Sequence, residues 1–120
     1  IYGHEAAFLE ENFKKSELNF DSQAVRPYFA YDKVKQGLLA VTSQLFRISY
    51  RPVSDAHVWH PSVDTYDVYN EQGEKLGRIY LDMHPREGKF KHAAQFPVVN
   101  GVKDRTYPEG ALVCNFPNPK

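Results

Sequence analysis

The sequence holds one cysteine, Cys114, one methionine and one tryptophan. A lone thiol excludes an internal disulfide and every zinc or iron–sulfur site built from several cysteines. Net charge is absent as well, since 15 Lys and Arg stand against 15 Asp and Glu in 120 residues. That balance argues against a dedicated nucleic-acid or anionic-membrane binder, because those partners select a basic excess. No uncharged run approaches the ~20 apolar residues that a membrane span requires. No basic segment followed by an apolar stretch opens the chain, so no signal peptide is visible. The first residue is Ile1 rather than Met, and residues 115–120 lead into no further element, so both ends read as cut. The expected compartment is cytoplasmic.

What is present is globular in character. Hydrophobic residues make up 42% and aromatics 14%, the latter dominated by eight Tyr and eight Phe. Residues 5–15 read as a short amphipathic helix carrying Ala7 and Phe8. Asp21 and Ser22 are N-cap types before a brief segment, Gln23, Ala24 and Val25, that Arg26-Pro27 should stop. The strongest signal follows. Val34, Leu38, Val41, Leu45 and Ile48 recur at spacings of 4, 3, 4 and 3, with Leu39 and Phe46 beside them. This predicts a helix with one apolar face, capped by Asp32. Gly37 within it costs roughly 1 kcal/mol against Ala and suggests close packing.

From Ser49 the period changes to two. Residues 64–70 and 75–84 alternate around Gly73, which predicts a β-hairpin. Gly77 marks a bulge or a tight approach. Residues 94–99 and 111–116 are two further strand candidates, joined by the polar stretch 100–110. The expected fold is therefore α+β: N-terminal helices over 1–50, then a small, mostly antiparallel sheet of three to four strands over 51–120. The core would be small, because ordering costs on the order of 1.5 kcal/mol per residue. A piece that normally packs against a larger body would have this composition.

The chemistry-bearing residues are sparse. His57 and His60 lie three apart around Trp59, but zinc needs three or four ligands, and the simpler reading is a loop anchored by Trp59. Ser62, His60 and Asp64 have the residue types of a catalytic triad without its arrangement. Cys114 reads as a small buried hydrophobe. Glu10, Glu11, Lys14 and Lys15 read as a solvated helix face. His92 sits in a run with Arg86, Glu87, Lys89 and Lys91, either a loop that approaches a ligand or a solvated charge cluster. The uncharged strand from Ala111 to Phe116 is either an inner strand or an edge that could accept an extended peptide. Neither a P-loop nor a dinucleotide fingerprint occurs.

Four ordered motifs then carry a resemblance. They are Arg26-Pro27-Tyr28-Phe29 leading towards Gly37-Leu38; Val58-Trp59-His60-Pro61-Ser62-Val63; the segment from Ile79 through Arg86-Glu87-Gly88-Lys89 to His92-Ala93-Ala94; and Ala111-Leu112-Val113-Cys114-Asn115-Phe116. Together the chain resembles the thimet oligopeptidase family of zinc metallopeptidases, whose members include neurolysin, oligopeptidase A and the dipeptidyl carboxypeptidases. The resemblance covers nearly the whole chain. Phe90-Lys91 departs from it, placing a bulky charge where relatives carry glycine.

The resemblance implies a fragment of a larger, mainly helical peptidase that hydrolyses short peptides with zinc. The family's H-E-x-x-H pair of zinc histidines and general-base glutamate is missing, so the resemblance implies no catalytic residue, no metal ligand and no zinc in this stretch. It implies instead a cleft-lining, substrate-binding role for Gly110, Ala111, Leu112 and Val113, with His92 covering or orienting the peptide. The expected partners are short peptides and the remainder of the peptidase chain. The alternative is a non-catalytic α+β module that binds peptide or protein at an edge strand.

Overall fold

The computed structural model describes residues 2–117; Ile1 and residues 118–120, part of the stretch read above as an open end, lie outside the described residues. The chain divides into two compact units, one ending at Val34 and the other beginning at Lys35.

In the first unit a 3-10 turn leads into helix α1, Ala6–Glu17. The Tyr2 backbone N–H donates to the Glu5 carboxylate at 2.8 Å, satisfying an otherwise orphaned donor. Lys14 pairs with Glu10 at 2.7 Å and Glu11 at 3.2 Å, the solvated face expected of those charges. Asn19, at φ 48°, turns the chain out of the helix. Asp21 then caps a 3-10 segment, Ser22–Phe29, accepting from the Gln23 N–H at 2.9 Å. That segment runs through Pro27 instead of stopping at it. A 3-10 turn makes few repeating bonds, so one missing N–H costs it little.

Helix α2, Tyr31–Phe46, falls where the apolar spacing predicts. Its start differs: Ala30 supplies the first accepted bond, from Val34 N–H at 3.0 Å, and Asp32 lies inside the first turn rather than capping it. Its orientation differs as well. Lys35 bonds Asp64 at 2.8 Å, and Thr42 accepts from the Tyr50 hydroxyl at 3.1 Å, so this side of the helix faces the sheet. The apolar stripe points elsewhere, with Leu38, Val41 and Leu45 at 45%, 62% and 69% exposure.

The sheet has five strands, β1 Ser49–Pro52, β2 Asp64–Tyr69, β3 Lys75–Asp82, β4 Ala94–Val99 and β5 Glu109–Val113, in the order β1-β2-β3-β5-β4. Three or four mostly antiparallel strands were expected; the fifth is β1, and β3 with β5 forms a parallel ladder. The hairpin β2–β3 turns at Gly73, whose φ of 79° suits glycine. Register shifts between Val68 and Tyr69, opposite Gly77 and Lys75, leaving Leu76 as the extra residue of a bulge. Gly77 is also a tight approach, because an added Cβ would lie 2.6 Å from the Pro108 carbonyl oxygen.

One face of the sheet carries the core of Val63, Tyr80, Ala111 and Val113, with Val58 packed on it. Register places Asp67, Arg78 and Glu109 on that same face, further along the strands. Arg78 donates to Asp67 at 2.7 Å and the Tyr80 hydroxyl to Glu109 at 2.7 Å. The Arg78 hydrogen bond outweighs burial and holds the Asp67 carboxyl below its ordinary range. Burial, helped by Glu109, pushes the Tyr80 phenol up.

Candidate functional site

Strand order decides which backbone is open. β5 lies between β3 and β4, so its amides and carbonyls over Glu109–Val113 are claimed from both sides. Of the two readings of the strand at 111–116 the structure has the inner one, over Glu109–Val113. β4 is the terminal strand on that side. It carries Pro97, a residue that sheets tolerate at an edge because it has no N–H to share.

The expected substrate-binding residues separate by face. Ala111 and Val113 are buried in the core, at 4% and 8% exposure. Gly110 and Leu112 are half-buried and alternate onto the opposite face. There Gly110 adjoins an open depression of about 400 Å³ lined by Leu76, Gly77, Gln95, Pro97 and Pro108 among others. His92 is exposed, and its carbonyl and that of Phe90 accept from the Asn115 side chain at 3.4 and 3.0 Å. The Phe90 ring meets Phe96 of β4 edge-on at 5.7 Å. The His92 loop is thus tied both to the end of β5 and to the edge strand.

Beneath that loop lies a cluster that the sequence reading passed over. Arg86 and Lys89 are not part of a solvated charge run, although Glu87 between them is exposed. Asp82, at the end of β3, is 2% exposed and receives four donors. Arg86 forks onto both its oxygens at 2.7 and 2.8 Å, and Trp59 Nε1–H donates at 2.9 Å. Lys89 Nζ stands 2.9 Å from Oδ1. Burial alone would raise the Asp82 pKa, but the Arg86, Trp59 and Lys89 hydrogen bonds overcome it and hold the carboxyl well below the ordinary range.

Lys89 Nζ also donates to the carbonyls of Asp82, His84 and Cys114 at 2.9, 2.6 and 2.7 Å. Beyond Val113 the chain stays laced to the β3 extension, with Cys114 N–H to Asp82 O at 2.9 Å and Phe116 N–H to Met83 O at 2.8 Å. His84 Nδ1–H donates to the Phe116 carbonyl at 3.1 Å. Burial pushes the Cys114 thiol up against the opposing pull of Lys89, as befits a thiol that packs rather than reacts. The signal that finds this cluster is an Asp at a strand end followed by Arg at +4 and Lys at +7. It is legible only once the intervening loop is known to fold back.

Trp59 does anchor its loop, with its ring 5.3 Å from that of Tyr80. His57 is exposed. His60 Nδ1 accepts from the Ser62 N–H at 3.2 Å and lies 2.8 Å from the Ser62 hydroxyl, which therefore donates to it. Asp64 is engaged by Lys35 instead. No three His, Cys, Asp or Glu side chains converge as metal ligands among the described residues. Nor is any helix among them long and apolar enough to cross a membrane.

Comparison with known proteins bears on what the open edge is for. The model of peptidase family M3 matches residues 3–120. Among curated relatives, saccharolysin of Saccharomyces cerevisiae is 36% identical over 91% of this chain and 16% of its own length. Oligopeptidase A of Escherichia coli is 31% identical over 94% of this chain and 17% of its own. A thimet-like oligopeptidase of Dictyostelium discoideum is 29% identical over 98% of this chain and 18% of its own. The chain thus spans about one sixth of the length of these relatives.

Proposed function

Because the chain belongs to peptidase family M3, we propose that it forms one wall of the peptide-binding cleft of a zinc-dependent oligopeptidase acting on short peptides in the cytoplasm. The observation that carries this reading is β4, an antiparallel strand that is terminal in the sheet, with one row of backbone groups facing no strand among the described residues. An extended peptide gains main-chain hydrogen bonds by adding to such an edge, and pockets beside it read alternate side chains. Gly110 would flank the peptide from the depression beside β4, with Leu112 further along the same face and Ala111 and Val113 supporting the strand from the core. His92 would meet the peptide at the head of the strand. Relatives named as oligopeptidases support the substrate class. No set of zinc ligands converges among the described residues, so on this reading the metal would be held by residues other than those described, and no chemical step is derived from them.

Parity along β4 gives the test. Proline at an edge turns its nitrogen away from the neighbouring strand. Gln95, two residues before Pro97, has the same orientation, so its N–H and C=O would face the peptide. Gln95→Pro in the intact polypeptide should raise KM for peptides roughly tenfold, the worth of a lost hydrogen bond or two. The melting temperature should move by no more than a few degrees. An unchanged KM at unchanged stability rejects pairing at β4. The 120-residue chain alone should hydrolyse no peptide; cleavage by it would place the catalytic groups here after all.

A further inference from the structure

Lys89 is the one buried lysine among the described residues, and its surroundings are unusual for a packing residue. Its side chain is 3% exposed, and four oxygens converge on Nζ between 2.6 and 2.9 Å. Three are backbone carbonyls, from the end of β3, from its extension and from the exit of β5. An ammonium has three hydrogens for these four oxygens, so at least one is shared, and Asp82 Oδ1 also supplies the counter-charge. Carbonyls gathered around a positive point, with one carboxylate, are what a bound monovalent cation would collect. Without a cation these oxygens would repel one another, and the Asp82 carbonyl and Oδ1 would keep only the Cys114 N–H and Arg86 as donors.

We propose that the Lys89 ammonium acts as a tethered cation whose four-oxygen cage sets the register of the β5 exit and, through it, the His92 loop. The connection is continuous. Lys89 fixes the Cys114 carbonyl, the next residue Asn115 holds the carbonyls of Phe90 and His92, and Phe90 packs on Phe96 of β4. Lys89 is therefore a positioning residue for the open edge, and this last step rests on the peptide-binding reading above. Carbonyl cages bind compact cations with donors in several directions. A planar guanidinium or an apolar side chain of similar volume does not replace them.

The test uses the intact polypeptide with Lys89→Ala, Lys89→Met and Lys89→Arg, read by amide hydrogen exchange and by peptide kinetics. In all three, exchange across residues 114–116 should rise at least tenfold while the β2–β3 hairpin keeps its protection. Ammonium or propylammonium should restore protection to Lys89→Ala, whereas tetramethylammonium, which has no N–H to donate, should not. KM for peptides should rise in Lys89→Met with little change in kcat. Full protection in Lys89→Met, or equal rescue by tetramethylammonium, would overturn the cage. Raised exchange with unchanged KM would overturn the positioning role. If the wild-type polypeptide hydrolyses no peptide, the functional reading fails while the exchange result still decides the cage. Should the variants not fold, the wild type answers by amine acylation: Lys89 should react at least a hundredfold more slowly than exposed Lys91 and Lys103, and comparable rates refute the proposal.

Discussion

Asp82 illustrates how a charge survives with almost no water around it. Removing a carboxylate from solvent costs several kcal/mol unless donors replace the hydration, and here Arg86, Trp59 and Lys89 do so. Its pKa is lower in the folded chain than the ordinary 3.8. A carboxyl depressed on folding stabilises above its unfolded pKa, and that contribution drains away as pH falls towards the folded value. Asp82→Asn keeps the shape but leaves the buried Lys89 ammonium and the half-buried Arg86 guanidinium facing a neutral amide. Near pH 7 it should cost about 3–5 kcal/mol in denaturant titration, as for other buried pairs broken from one side. The gap from wild type should narrow as pH drops below about 4, where the native carboxyl begins to lose its advantage. A gap that stays constant from pH 7 to pH 3 would mean that the charge of Asp82 contributes nothing.

At the scale of elements, two glycines that look alike in sequence have different reasons to be glycine. A Cβ on Gly77 would lie 2.6 Å from the Pro108 carbonyl oxygen, which also accepts the Arg78 N–H at 3.0 Å and so cannot retreat freely. A Cβ on Gly110 would press on Gln95 Nε2 at 3.0 Å, the far end of a flexible side chain, and meet the Phe96 carbonyl oxygen at an ordinary 3.7 Å. Gly77→Ala should therefore cost about 1–3 kcal/mol by overpacking, and Gly110→Ala no more than about 0.5 kcal/mol. Thermal melts of the two variants decide it; equal losses would show that the β3–β5 contact yields. These strands also explain what the sequence could reveal. Period-two alternation around Gly73 made the β2–β3 hairpin readable, and β4 fell on the expected residues. β1 was not readable, since Ser49–Pro52 is four residues without an apolar alternation. Nor was the insertion of β5 between β3 and β4, because a parallel partner is fixed by the folding back of residues 83–108, not by any local period. The candidate site was the least legible: the sequence left 111–116 open between inner strand and edge, and left the run holding Lys89 open between a ligand-facing loop and a solvated cluster.

For the molecule as a whole, the informative surface is apolar. Helical spacing identified the stripe Leu38, Val41 and Leu45 correctly, yet in the second unit that stripe is exposed, while Lys35 and Thr42 face the sheet. Exposed apolar patches of this kind mark a surface that something else covers. The chain spans 16–18% of its relatives' lengths, and on the reading proposed above the cover would be the rest of such a peptidase. This predicts an effect that reverses with context. In the 120-residue chain, Leu38→Glu, Val41→Glu and Leu45→Glu together should leave the melting temperature nearly unchanged, since exposed substitutions fall within about 0.5 kcal/mol each. They should also convert an associating species into a monomer by sedimentation. In the intact polypeptide the same three changes would place carboxylates in a closed interface, where unpaired charge is costly, and should lower stability sharply. Destabilisation of the isolated chain would mean that the stripe already has a partner within it. Tolerance in the intact polypeptide would mean that the stripe faces solvent there too, leaving its apolar spacing unexplained by packing.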